Sequence, residues 1–141
     1  MQKALTQMNI QLHREFDLRT HLYRISGVDF TAVDGSGALT VLVLVSELSL
    51  DPTRFPTVKH FTSWLPLCPG SRITGGKVKS SKTRPVANRA ATALRMAAQT
   101  LCRSHSASGA YYRRMQSRMG APKAITATAH KLARIFYRLW T

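Results

Sequence analysis

The apolar positions of the chain change their spacing along its length, and the changes outline a helical protein. Near the start, Leu5, Met8, Leu12 and Phe16 recur three or four residues apart among polar neighbours, which predicts a helix over residues 1 to about 25. No capping residue opens that pattern, so it reads as the tail of a longer helix. A continuous run, Val41-Leu42-Val43-Leu44-Val45, follows the turn Asp34-Gly35-Ser36-Gly37. The run is β-branched enough to suit a strand. The turn favours a helix, because Gly-x-Gly feeding a helix is the hairpin of a helix-hairpin-helix unit. A plain loop before a buried helix or strand stays open as the alternative. At Gly35 and Gly37 the backbone is expected to approach closely, either to a phosphate held by the turn's N–H groups or to a neighbouring helix.

Asp51-Pro52 ends this element. Val58, Phe61, Trp64 and Leu65 then share one face of a short helix over Thr57 to Leu65, closed by Pro66 and Pro69. From Gly70 to Pro85 the chain turns to Gly, Ser and Lys, which predicts a mobile basic loop. Three helices should follow. The first, Val86 to Arg103, puts Val86, Ala90, Ala93, Leu94, Ala97 and Leu101 on one stripe. The second runs from about Ala107 to Met119 with Tyr111, Tyr112 and Met115 apolar. Gly120 stops it and Pro122 starts the third, with Ile125, Thr128, Leu132, Ile135, Phe136 and Leu139 inward and Lys131, Arg134 and Arg138 outward. The fold class expected is all-α: a helix-hairpin-helix-like unit and a helical bundle, with the basic loop between them.

Charge sharpens this outline. The chain of 141 residues carries 21 Lys and Arg against 6 Asp and Glu, a formal net charge of +15. The acids are Glu15, Asp17, Asp29, Asp34, Glu47 and Asp51, and from Pro52 to Thr141 there is none. An ordinary solvated surface mixes both signs, whereas a long stretch of one sign reads as a surface facing a polyanion. Nucleic acid is the expected partner. The longest apolar stretch, Ala38 to Val45, is far too short to span a bilayer, and no signal peptide is visible; no membrane partner is expected. Cys68 and Cys102 form no CxxC pair and read as reduced, largely buried thiols of a cytoplasmic protein.

Candidate chemistry is sparse. Gly76-Lys77 is not a phosphate loop, because Ser71 stands where the first Gly belongs and Val78 where Ser or Thr must follow the Lys. His13, His21, His60, His105 and His130 lack metal-ligand spacing, so no metal site is expected in this chain. Asp29, Asp34, Glu47 and Asp51 sit at turns and element ends, where capping is the ordinary role. What remains is a hydroxyl-rich stretch, Ser71, Thr74, Ser80, Ser81 and Thr83, among Arg72, Lys77, Lys79, Lys82 and Arg84. Read from the residues alone, this is a flexible phosphate-binding loop; a hydroxyl attacking a phosphodiester beside stabilising cations is the alternative.

An ordered series of short motifs goes further. Asp34-Gly35-Ser36-Gly37 leads into an apolar helix, then come Arg54-Phe55, Phe61-Thr62-Ser63-Trp64-Leu65, Leu67-Cys68-Pro69-Gly70 and Gly75-Gly76-Lys77. Asn88-Arg89 then opens an Ala- and Arg-rich helix, and Met119-Gly120-Ala121-Pro122 precedes the last one. From about Leu22 to Thr141 this series resembles the C-terminal domain of the insertion-sequence one-ten (116/902) transposase family. The resemblance implies DNA recombination guided by a structured RNA. It also implies a covalent bond from a C-terminal serine to DNA, and an N-terminal resolvase-like domain with acidic ligands for a divalent metal such as Mg. The family's serine aligns with Thr74, which keeps a hydroxyl but adds a crowding methyl group, and Pro66 stands where glycine is usual.

The expected organisation is therefore residues 1–21 as the helical tail of an absent upstream region and residues 22–141 as the transposase domain, a truncated copy without its metal-binding half. Gly35, Gly37, Arg72, Lys77, Lys79, Lys82, Arg84 and Arg89 are the expected nucleic-acid contacts, and Thr74 the residue in the nucleophile's place. The expected partners are DNA, a guide RNA and a further copy or a full-length family member, in the cytoplasm with the nucleoid. Alone, the chain is expected to be catalytically incomplete. The competing expectations are a non-catalytic basic nucleic-acid-binding protein and a small ribosome-associated RNA-binding protein.

Overall fold

The computed structural model describes residues 2–7, 17–48, 51–67, 72–80 and 88–141. Among these, seven α-helices, three single 3-10 turns and one two-stranded ribbon follow one another. Helix α1 covers residues 2–7; the stretch carrying Met8, Leu12 and Phe16 lies outside the described residues. Helix α2 (Leu18–Ser26) stops at Gly27, whose φ of 75° lets its N–H donate to the Tyr23 carbonyl. Asp29 opens the turn Phe30–Ala32 by accepting from the Thr31 N–H. Helix α3 (Ala38–Leu48) then buries Val41, Leu44 and Leu48, so the run that suited strand or helix is a helix fed by the Gly-x-Gly turn.

Each later helix has a legible start. Asp51 caps the turn Pro52–Arg54 through the Thr53 N–H, and Thr57 caps α4 (Val58–Trp64) through the His60 N–H. Asn88 caps α5 (Arg89–Thr100) through the Ala91 N–H. After the 3-10 turn Leu101–Arg103, Ser106 caps α6 (Ala107–Met119) through the Gly109 N–H. Gly120 ends α6 with a φ of 82°, and Pro122 sits in the first turn of α7 (Ala121–Trp140).

The core forms around α7, which packs on α4, α5 and α6. Phe136 stacks on Phe30 with ring centroids 4.2 Å apart, and Phe61 lies 5.6 Å from Tyr137. The Tyr137 hydroxyl donates to the Phe55 carbonyl at 2.7 Å, a bond joining residues 82 apart in sequence. On α5 the stripe of Ala90, Leu94, Ala97 and Leu101 is buried as its period requires, while Val86 lies outside the described residues.

The helix expected over residues 1 to about 25 is interrupted at Asp17, whose extended backbone starts α2 afresh. The helix expected over Val86 to Arg103 begins only after the extended Asn88 and tightens into a 3-10 turn at Leu101–Arg103. Three further expectations need correction. Leu139, placed inward by period alone, is 41% exposed: on its side of α7, near the helix end, no described element covers it. Cys102 is an exposed thiol rather than a buried one, because its 3-10 turn directs only Leu101 into the core; Cys68 lies outside the described residues. The third correction concerns the basic loop. Arg72–Thr74 (β1) and Lys77–Ser80 (β2) pair antiparallel, which adds a short β-ribbon to an otherwise all-α fold.

Candidate nucleic-acid interface

The ribbon is built from its turn outward. Gly75 and Gly76 have φ values of 59° and 74°, so both central residues of the two-residue turn are left-handed. That is the type I′ geometry whose twist matches a β-hairpin, and glycine adopts it without a Cβ clash. Ile73, Thr74 and Val78 supply the β-branched flanks. Pairing runs Thr74 to Lys77, Ile73 to Val78 and Arg72 to Ser80, so Lys79 is the extra residue of a bulge. Directly paired residues project to the same face of a ribbon, with Cβ atoms about 5 Å apart. The Thr74 hydroxyl and the Lys77 ammonium thus leave the hairpin tip on one side, and both residues are exposed.

Arg89 occupies a second place. It is the exposed first residue of α5, where unpaired backbone N–H groups favour an anion. Its position is fixed by Asn88, whose side-chain amide donates to the Trp64 carbonyl at 3.3 Å while its oxygen caps α5. One side chain thereby ties the end of α4 to the start of α5. Asn88 is the positioning residue that the sequence reading passed over as a site; an Asn immediately before an Ala-rich helix was the available signal.

The glycine turn lies elsewhere. Gly35, at a φ of 77°, faces the last turn of α5: a Cβ there would stand 2.9 Å from the Ala97 carbonyl oxygen and 3.0 Å from Leu101 Cγ. The close approach expected here is thus one to a neighbouring helix. Gly37 does not share it, since a Cβ on Gly37 would meet nothing within 4 Å. Its carbonyl instead accepts the first helical bond of α3, from the Val41 N–H at 3.1 Å. At 1.5 Å per residue, Arg89 and the Gly35 contact at Ala97 are roughly 12 Å apart along α5, so these expected contacts form no single cluster. Lys82 and Arg84 lie outside the described residues, as do the side-chain surroundings of Arg72 and Lys79.

The acids are spent on local structure. Asp17 accepts from the Thr20 hydroxyl at 2.6 Å, Asp51 from the Thr53 hydroxyl at 2.6 Å, and Asp29 from the Thr31 hydroxyl and from Arg19 at 2.6 Å. These bonds hold all three carboxyls below the usual carboxylate range, chiefly through the Thr20 hydroxyl for Asp17, Arg19 for Asp29 and the Thr53 hydroxyl for Asp51. Among the described residues no group of three or more His, Cys, Asp or Glu could hold a metal ion. Some cations are also committed: Arg54 stacks over Trp64 at 5.4 Å, and Arg113 donates to the Ser104 carbonyl at 2.7 Å. Lys77 and Arg89 are exposed and have no such structural task in the hydrogen-bond and ion-pair pattern described here.

Helices around an aromatic core, with exposed cations and dispersed acids, define a basic helical domain. Comparison with protein families identifies which one: residues 29–113 match the model of the Transposase IS116/IS110/IS902 family. That segment is more than half of the 141 residues, and the chain belongs to this family, whose work is DNA transposition. Comparisons with curated proteins and with solved structures gave no match. No described helix is long and apolar enough to cross a membrane.

Proposed function

We propose that this chain is the DNA-engaging domain of a transposase and that strand chemistry on it is completed by acidic groups of another domain or another copy. The observation that carries this reading is the hairpin tip, where exposed Thr74 pairs across the ribbon with exposed Lys77 and no group of three or more His, Cys, Asp or Glu forms a metal site among the described residues. A hydroxyl that attacks a phosphodiester forms an Oγ–P bond while a bridging P–O bond breaks. Its proton must go to a base, and the departing sugar oxygen must gain one. Protonated Lys77 stabilises developing negative charge but cannot accept that proton. In this reading the divalent metal, Mg, is held by the completing domain. Residues 22–141 act in this reading as one DNA-binding unit alongside a structured guide RNA, in the cytoplasm with the nucleoid. A purely DNA-binding, non-catalytic role is the second reading, favoured by threonine in the serine's place.

The test is a covalent protein–DNA adduct on a denaturing gel. The chain is mixed with duplex DNA, with and without a complete family member and its guide RNA. No adduct is expected from the chain alone, and an adduct that needs the complete member should strengthen in Thr74→Ser. An adduct formed by the isolated chain would contradict the claim of incompleteness. Loss of a partner-dependent adduct in Ser71→Ala or Ser80→Ala, with Thr74→Ser unchanged, would place the nucleophile elsewhere.

A further inference from the structure

The segment beyond the family match carries a cationic surface of its own. Lys123, His130, Lys131, Arg134 and Arg138 all lie on α7, and at about 100° per residue they fall within an arc of roughly 100°. The buried residues Thr128, Ala129, Leu132, Ala133 and Phe136 occupy a different side of the same helix. Where this face meets α6, His130, Lys131, Arg134, Ile135 and Arg138 line a cleft of about 370 Å³ with Tyr111. The Lys131 ammonium sits 4.3 Å from the centroid of the Tyr111 ring, and the Arg114 guanidinium 5.7 Å from it.

A simply solvated helix face would interleave acids at three- and four-residue spacing. Neither α6 nor α7 has an acid, so the cations repel one another with no counter-charge on either helix. The Tyr111 ring, which lines the cleft, holds Lys131 and Arg114 beside it against that repulsion. Because cations already cover the ring, the cleft presents positive charge rather than a free stacking platform. Burial, and secondarily the neighbouring Arg134, lowers the His130 pKa. The row from Lys123 to Arg138 extends about 22 Å at 1.5 Å per residue. One nucleic-acid strand carries a charge every 3.4 Å or so of duplex axis, so a row of that length can follow several successive phosphates.

We propose that the α6–α7 cleft and the basic face of α7 form a second phosphate-backbone site, separate from the hairpin, that holds a nucleic-acid duplex. Lys131, Arg134 and Arg138 make the phosphate contacts there, and Tyr111 positions Lys131. The proposal rests on the reading that this chain engages nucleic acid.

The test uses the full chain with duplex DNA and duplex RNA of one sequence, titrated by fluorescence anisotropy over a series of salt concentrations. In Lys131→Gln/Arg134→Gln/Arg138→Gln, the slope of log affinity against log salt should become shallower by about 2 to 3 on at least one duplex. The duplex affected identifies which backbone the site holds. Tyr111→Leu should weaken binding to that duplex two- to tenfold, with the melting temperature checked for each variant. Lys77→Gln/Arg89→Gln should lower the slope further when combined with the triple variant. Unchanged affinity and slope in the folded triple variant on both duplexes, with the Lys77→Gln/Arg89→Gln variant weakened, would overturn the cleft site and leave the hairpin reading intact. Wild-type protein without salt-dependent binding to either duplex would overturn both.

Discussion

Gly35 and Gly37 stand two residues apart in one motif and do different work. Gly35 holds a left-handed φ of 77° and presses its Cα face against the Ala97 carbonyl and Leu101. Alanine there meets both a strained backbone and a backbone oxygen too close to move cheaply. Gly35→Ala should cost about 2–3 kcal/mol of unfolding free energy. Gly37 opens α3 with free space around it, and serine is a favoured residue at a helix start. Gly37→Ser should stay within about 0.5 kcal/mol of wild type. Urea denaturation of the two variants decides this. Equal losses would show that the turn acts as a unit, and an unchanged midpoint for Gly35→Ala would remove the close approach from the account. The Gly-x-Gly spelling announced a turn into a helix, but which glycine is crowded depends on α5, more than fifty residues later in the chain, and no local pattern carries that.

At the scale of elements, most of what the sequence signals was punctuation. Asn88, Ser106, Gly120 and Pro122 mark helix ends where the structure has them, because capping is decided within one turn of chain. The ribbon was legible too. Gly75-Gly76 between Ile73-Thr74 and Lys77-Val78 is a hairpin spelling set within Ser- and Lys-rich sequence that by composition alone suits a loop. Leu139 shows the opposite failure: its helical period is right, but burial also needs a neighbour. Local side-chain bonds to the acids also set the acid response. Asp17, Asp29 and Asp51 have lowered pKa values, so their stabilisation is present above the unfolded carboxylate pKa of about 4 and is lost as pH falls through the folded values. His130 is lowered as well, by burial first and Arg134 second. Its contribution is complete above the unfolded pKa of about 6.5 and declines as pH falls from there toward the folded value. The melting temperature should therefore decline in two windows on acidification. His130→Gln should remove the upper one and Asp29→Asn should weaken the lower one. A melting temperature that rises between pH 7 and pH 5 would contradict the His130 assignment.

Over the whole molecule, the sequence places its six acids before Pro52; in the structure Asp29 and Asp51 cap 3-10 turns and Asp17 accepts from the Thr20 hydroxyl. Among the described residues, Arg19 is the cation in an ion pair, with Asp29, while Lys77, Arg89, Arg134 and Arg138 are exposed. Composition alone indicated a polyanion partner. Family membership makes DNA the class of that partner, and the hairpin tip and the α7 face are the surfaces proposed to touch it. What no linear reading supplies is the pairing of Tyr111 with Lys131, which exists only because α6 folds back on α7. The central claim is that this domain binds DNA through its phosphates. It is tested most directly by titrating the chain against duplex DNA of several unrelated sequences across a range of salt concentrations. With six to eight cations on phosphates, log affinity should fall against log salt with a slope of about −5 to −7, nearly the same for every sequence. A slope near zero, or binding too weak to titrate at low salt, would contradict the account.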